Sequence, residues 1–260
     1  MLHLSKHLSA TWVWLLALLV SVSVAQNPSP QASPSTDRDH GIELYQQGDA
    51  NGAVEALRHA VQGDEKDGTA WHYLGLAYLL KGSRDEARKS FARAVAVREA
   101  ALQPTPMAAS TTLDPAGARQ KKSERFQAAA ESLEKYLELT KNPDPTLLEE
   151  LDALRWYRDY YGGTRNDEEI ITTKEATTRL RILDKPPPNF SGTRAAGRGS
   201  LRAVFSADGT VKHILVIRKV DPEFDRACIL AAKRIQFEPA VKDGRPVSMI
   251  LEVEYGRYIY

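Results

Sequence analysis

Apolar residues change their spacing several times along the chain. Residues 11–25 (TWVWLLALLVSVSVA) form one uncharged, mostly apolar run. Residues 26–36 (QNPSPQASPST) are rich in Pro, Ser and Gln and predict a disordered linker. Over 37–161 apolar positions recur at helical spacing, and residues 162–176 are polar and charged, predicting a second linker. Over 177–260 the spacing switches to alternation, the period of strands. The pattern predicts two folded modules, one of paired helices and one α+β.

Within the helical stretch a period of 34 residues is visible. Trp71, Leu74, Gly75, Tyr78, Ala87, Phe91 and Ala94 stand at W-x2-L-G-x2-Y and A-x3-F-x2-A spacing, and Gly41, Leu44, Ala53, Leu57 and Ala60 stand 34 residues before the positions of Gly75, Tyr78, Ala87, Phe91 and Ala94. Small residues at Gly75 and Ala87 let paired helices approach, and Trp71, Tyr78 and Phe91 fill the space between them. This spacing resembles a tetratricopeptide (TPR) repeat. A third unit is degenerate: Ala129, Leu133 and Tyr136 resemble a second helix, while 101–120 (ALQPTPMAASTTLDPAGARQ) predicts an exposed insertion where a first helix would lie. A last helix starts at Pro145, with Asp144 as N-cap, and ends at Gly162 and Gly163. Trp156, Tyr157, Tyr160 and Tyr161 near its end either close the stack or form an aromatic peptide-binding patch. A short solenoid must cover its end, which favours closure.

In the second module Leu201, Ala203 and Phe205 alternate with Arg202 and Val204; Asp208-Gly209 signals a turn; Val211, His213, Leu215 and Ile217 alternate with Lys212, Ile214 and Val216. A helix follows over 221–236, capped by Asp221 with Pro222 in its first turn and Phe224, Cys228, Ala231 and Ile235 on one face. After a second turn at Asp243-Gly244, residues 247–255 predict the last strand, so the order is ββαβ. The hairpin, then Phe224-Asp225-x-Ala227 and Phe237-x-Pro239-Ala240-x-x-Asp243-Gly244-x-Pro246-Val247, resembles the TonB C-terminal domain, whose pattern is L-D-x-A-A…F-x-P-A-x-x-x-G-x-P-V. Upstream, Pro186-x-Pro188-x-Phe190 is similar to that family's P-x-P-x-Y, with Phe for Tyr and Ser191 where the family usually continues with Pro.

Charge separates the modules. Residues 26–176 carry a net −6 and residues 177–260 a net +6, although the whole chain is +1. The near-neutral total excludes a wholesale nucleic-acid footprint. One cysteine, Cys228, excludes an intrachain disulfide and a Cys-rich zinc site. Lys6, the apolar run and small residues Ser23 and Ala25 before Gln26 predict a secretory signal over 1–25, and so a protein of the periplasm of a Gram-negative-type cell. Retained, the run would be an inner-membrane anchor, although 15 residues fall short of the about 20 that a span needs.

Chemistry-bearing residues are sparse. His3, His7, His40, His59, His72 and His213 show no metal-ligand spacing. Gly197-Arg198-Gly199-Ser200 precedes a strand instead of opening a helix, so it reads as a flexible turn and not a phosphate loop. Cys228 reads as a small buried thiol. Arg194, Arg198, Arg202, Arg218, Lys219, Lys233 and Arg234 are solvated charge or a patch for docking, against the acidic helical module, peptidoglycan or anionic lipid. No catalytic residue, cofactor, metal, nucleic acid or small-molecule substrate is expected.

The expected function is binding. The TPR resemblance implies a groove lined by Ile42, Tyr45, Gln46, His72, Leu76 and Leu79, with packing of Leu76 and Leu79 on a neighbouring helix as the alternative. The TonB resemblance implies strand addition of a partner segment, such as that of an outer-membrane transporter. The expected edge is the last strand: Val247, Ser248, Met249, Ile250, Leu251, Glu252, Val253, Glu254 and Tyr255. The chain ends soon after it, so no later element covers it; folding back of residues 177–184 is the alternative, and strand pairing between copies would give a homodimer. An envelope adaptor is the leading expectation and a TonB-like energy transducer the other. The family's membrane Ser-x3-His pattern is absent from 11–25, and a linker of residues 26–36 spans only about 34 Å.

Overall fold

A computed structural model describes residues 33–103, 115–165, 169–190 and 197–257. The expected leader, residues 26–32 of the first linker and the 104–114 stretch lie outside the described residues. Six helices come first: α1 (Pro34–Gln46), α2 (Ala50–Gly63), α3 (Gly68–Leu80), α4 (Arg84–Ala100), α5 (Pro115–Glu138) and α6 (Pro145–Gly162). They pack as three hairpins, α1 on α2, α3 on α4 and α5 on α6. Two corrections follow. Residues 34–36 of the expected linker are helix, started by Ser33, whose hydroxyl accepts from the Thr36 amide. Ala129, Leu133 and Tyr136 lie on the first helix of the third pair, not the second, and residues 115–120 are its first turns instead of an insertion.

Local chemistry sets the helix starts. Asp49 accepts from the Gly52 amide, Asp67 from Thr69 and Ala70, and Asp144 from Thr146, each supplying an acceptor to amides without helical partners. Glycine sets the helix spacing. A Cβ on Gly75 would stand 2.7 Å from the Phe91 ring, and one on Gly41 2.6 Å from Leu57 Cγ. Between hairpins, Arg98 Nη1 donates to Ala128 O and Ser132 Oγ, both at 2.7 Å, and His72 Nδ1 lies 3.0 Å from the same hydroxyl.

The second module holds β1 (Ile170–Ile171), β2 (Arg181–Asp184), β3 (Gly197–Phe205), β4 (Val211–Arg218), α7 (Pro222–Ala232), β5 (Gln236–Glu238), β6 (Ala240–Lys242) and β7 (Arg245–Arg257). The ββαβ core is β3, β4, α7 and β7, and four short strands add to it. The main sheet runs β1-β7-β3-β4, β6 pairs with β7, and β2 pairs with β5 in a separate ribbon. Asp243 and Gly244 both have positive φ, the conformation a two-residue hairpin turn demands. The Gly197-Arg198-Gly199-Ser200 stretch, expected as a turn, is the start of β3, and a Cβ on Gly197 would press against Val220.

One sheet face packs Leu201, Phe205, Val216, Val253 and Tyr255 under Phe224, Cys228 and Ala231 of α7. Phe190 reaches the Phe224 ring edge-on at 5.6 Å. The other face is equally apolar. Val204, Leu215 and Ile217, with Ile250 beside them, pack into one cluster with Leu151, Leu154, Trp156 and Tyr157 of α6 and Phe126 and Leu133 of α5. The two modules therefore share a core.

A β-bulge aims part of this contact. Between Arg202↔Leu215 and Val204↔Lys212 the register gains one residue on β4, and His213 sits there at φ 48°. The expected alternation breaks at that residue: Val211 faces α7 with Ile214 and Val216, while the His213 ring stacks on Trp156 at 4.7 Å. Trp156 is 3% exposed and Tyr157 0%, so the aromatic end of α6 closes the stack against the sheet.

Charge complements this junction. Arg226 pairs with Asp144, and Lys233 with Glu149 at 2.7 Å. Lys219 Nζ lies 2.6 Å from Glu99 Oε2 and 3.3 Å from Glu150 Oε1. Of the basic residues expected as a patch, Lys219 and Lys233 thus serve docking onto the acidic module, Arg202 pairs with Glu252, and Arg218 with Glu254. Arg194 lies outside the described residues. Burial, with the Glu150 charge adding and Lys219 opposing, pushes the Glu99 carboxyl up to about 8.

Three outcomes are expected. Gly75→Val, measured by urea denaturation, lowers stability by about 1–3 kcal/mol, because the new branches meet Phe91. Trp156→Ala, measured the same way, costs about 3–5 kcal/mol, because its buried ring leaves a cavity. The third concerns pH. Glu99 keeps a proton in the folded state above its unfolded value of 4.5, so its contribution to stability falls as pH rises toward 8. His72, lowered to about 4 by burial, acts oppositely below its unfolded 6.5. Between pH 6.5 and 8 the unfolding free energy from urea titrations should therefore decline, by at most about 1.4 kcal/mol per pH unit, and Glu99→Gln should flatten that decline.

Candidate functional site

The expected binding edge is the side of β7 turned away from β3. β3 pairs with β7 from Gly197↔Arg257 to Phe205↔Met249 without a register shift. On the far side β1 lies parallel, with Ile170 opposite Ser248 and Ile171 opposite Met249; β6 pairs Ala240 with Val247 where β3 has ended. The expectation that residues 247–255 form one open edge is therefore corrected at Ser248 and Met249. The covering strand comes from the polar stretch expected to be a linker. Residues 177–184, the alternative cover, do not pair with β7: β2 joins β5, and Thr178 bridges Val241.

The direction of the remaining backbone groups follows from two contacts. The Ser248 amide donates outward to Glu169 O, and Lys185 Nζ donates to Glu254 O at 3.1 Å. In a regular strand alternate residues point their amide and carbonyl the same way. Glu252, Glu254 and Gly256 thus direct their backbone outward, beyond the reach of β1, and among the described residues no strand pairs with them there. Leu251, Val253 and Tyr255 point their side chains to the α7 face, with Val253 and Tyr255 buried. On the opposite face Ile250 packs toward the helices, and Glu252 takes a hydrogen bond from Arg202 at 2.8 Å.

Lys185 guards this edge with a charge and lies over the Tyr255 ring at 5.2 Å. The sheet's other edge, β4, carries bulges that bend it, a common obstacle to pairing. β7 is the straighter edge. Sequence reading missed β1 and Lys185. The signal for β1 was the pair Ile170-Ile171 inside an otherwise polar stretch; Lys185 carried none.

The expected groove residues lie on α1 and α3. Gln46 is exposed, and Ile42, Tyr45, Leu76 and Leu79 are half-buried. Tyr45 meets Tyr73 edge-on at 5.8 Å. His72 differs: it bonds Ser132 across to α5 and contacts Phe91 edge-on at 5.4 Å, so it joins hairpins. Cys228 is buried and its thiol is pushed up to about 12 by desolvation, which makes it a poor nucleophile.

Comparison with known families agrees with this architecture. The model for the Gram-negative bacterial TonB protein C-terminal matches residues 187–256, which take in β3 to β7 up to Gly256 and leave β1 and β2 outside. A tetratricopeptide repeat model matches residues 68–100, which are the α3–α4 hairpin. No curated protein matches the chain. The chain thus carries a TPR helical module followed by a TonB C-terminal domain.

Proposed function

We propose that this protein is a cell-envelope adaptor that captures an extended peptide segment of a partner protein at the outer edge of β7. TPR and TonB C-terminal domains are protein-interaction modules, which supports a protein partner in general. One observation carries the finer reading: Glu252, Glu254 and Gly256 turn their backbone groups outward with no strand partner among the described residues. An added strand would satisfy those groups, and its alternate side chains would read the flanking surface. The exposed and half-buried residues of α1 and α3, Ile42, Tyr45, Gln46, Leu76 and Leu79, offer a second contact to the same partner.

The TonB C-terminal match also fits an energy-transducing role. The adaptor reading is favoured because the TPR module buries the sheet's second face. A domain pulled by a membrane motor needs a long tether, whereas this one shares an apolar core with a helical stack. Among the described residues no helix is long and apolar enough to cross a membrane. A periplasmic location with the leader removed accords with this reading.

The test is a proline scan of the edge. A photoreactive residue at Glu254 should crosslink to an extended segment of one envelope protein, identified by mass spectrometry. Glu252→Pro removes an outward amide and should weaken that partner peptide by about tenfold, the worth of one or two backbone hydrogen bonds. Glu252→Ala, which loses the same pair with Arg202 but keeps the amide, should bind normally. Equal binding by a folded Glu252→Pro variant would rule out strand addition at β7.

A further inference from the structure

Positive charge collects on α5 where that helix nears β7. Arg119, Lys122 and Arg125 follow one another at steps of three residues, so each neighbours the next along the helix. Arg119 Nη2 donates to Tyr160 O at 2.8 Å, and its guanidinium lies over the Tyr160 ring at 5.2 Å. Lys122 Nζ lies over the Tyr161 ring at 5.1 Å. Both tyrosines pack against the cluster that also takes in Ile170 of β1 and Ile250 of β7. The cations therefore stand where β1 gives way to the uncovered length of β7.

Carboxylates do not match this charge. Arg202, the nearby cation on β3, pairs with Glu252. Arg119, Lys122 and Arg125 have no carboxylate partner among the described residues. Glu175, on the turn after β1, accepts from the Thr172 amide and hydroxyl instead. Burial and the charges of Arg202, Arg125 and Arg119 hold the Lys122 ammonium below its ordinary value, with Glu252 acting the other way. Like charges one helical turn apart repel. An arriving anion would relieve that repulsion.

We propose that the segment captured at the β7 edge is acidic, with carboxylates on the face that it turns toward α5. This inference rests on the strand-addition reading above. Side chains of an added strand alternate between the two faces of the sheet. Those on the helical face meet Glu252 and the α5 cations. Glu252 is already matched by Arg202, so the three unmatched cations set the sign. Arg119 and Arg125 offer forked donors that suit a carboxylate, and Lys122 adds a point charge. A basic segment meets like charge here, and a neutral one leaves the cations as they were. An anionic lipid surface is the poorer fit, because the adjoining outward groups of β7 include carbonyls that need donors in register, which a peptide supplies.

The experiment uses the full chain and short capped peptides of alternating Thr and Val, in which two Thr are replaced by Glu, by Gln or by Lys. Binding is read by fluorescence anisotropy at low salt, about 50 mM, where screening is weak. The Glu peptide should bind about tenfold more tightly than the Gln peptide, the worth of one charge-assisted hydrogen bond, and the Lys peptide more weakly than either. The double variant Lys122→Gln, Arg125→Gln changes two exposed side chains. It should bring the Glu peptide down to the Gln peptide and leave the Gln peptide unchanged. Glu252→Pro, set against Glu252→Ala so that the change of charge cancels, should weaken the Glu and Gln peptides alike. If it does so while the wild-type chain binds those two peptides equally, strand addition stands and the acidic preference is overturned. If Glu252→Pro binds the Glu peptide as well as Glu252→Ala does, the strand reading fails and this inference fails with it. Failure of the wild-type chain to bind the Glu peptide, or full preference for it in the double variant, would also overturn the proposal. So would retention of the chain on phosphatidylglycerol vesicles with no preference among the peptides.

Discussion

The structure turns on the second face of its sheet. Val204, Leu215 and Ile217 point away from α7, and water would meet them if nothing else did. Fully burying such side chains contributes about 1.5–3 kcal/mol each. The end of α6 supplies the cover, with Leu151, Leu154, Trp156 and Tyr157 in one cluster with them. The same contact closes the helical stack, whose last helix would otherwise show its own apolar stripe. Each module thus hides the surface that the other leaves open, and the orientation of the TPR face toward the sheet follows.

Electrostatics adds direction to this contact more than strength. Arg226–Asp144 and Lys233–Glu149 sit at the rim with exposed side chains, and such pairs contribute little each. Their common sign, basic on the sheet module and acidic on the helices, favours one docking over its alternatives. Lys219 is a different case because its carboxylate partners are buried. There burial holds the Glu99 carboxyl toward its neutral form beside Lys219.

The β7 edge shows a similar economy. β1 covers the outer edge at Ser248 and Met249, and the covering stops there. A short parallel strand from the inter-module segment anchors that segment to the sheet while leaving the outer edge at Glu252, Glu254 and Gly256 without a strand among the described residues. Lys185 then places one charge along the uncovered length. An edge with partial cover and one charged guard is protected from indiscriminate pairing, yet still presents outward backbone groups at Glu252, Glu254 and Gly256.

Much of this was legible in the residues alone. Repeat spacing located the α1–α4 hairpins, and Gly75 opposite Phe91 followed from it. The caps at Asp144 and Asp221 and the turn at Asp243-Gly244 were local signals, each set by a backbone group that a nearby side chain or glycine must serve. Other features depended on partners distant in sequence. Residues 211–217 read as alternating, and alternation says only that a face is apolar, not what covers it. The bulge at His213 moved one side chain to a new face because Trp156 was there to meet it. Glu99 looks like any acid on a charged helix until Lys219, Glu150 and the apolar walls close around it. Periodicity and turn chemistry act within a few residues, so the sequence by itself determined the elements and their apolar faces. Which face meets which, which edge stays open and which carboxylate is buried were decided by contacts across the chain, and only the tertiary structure holds those.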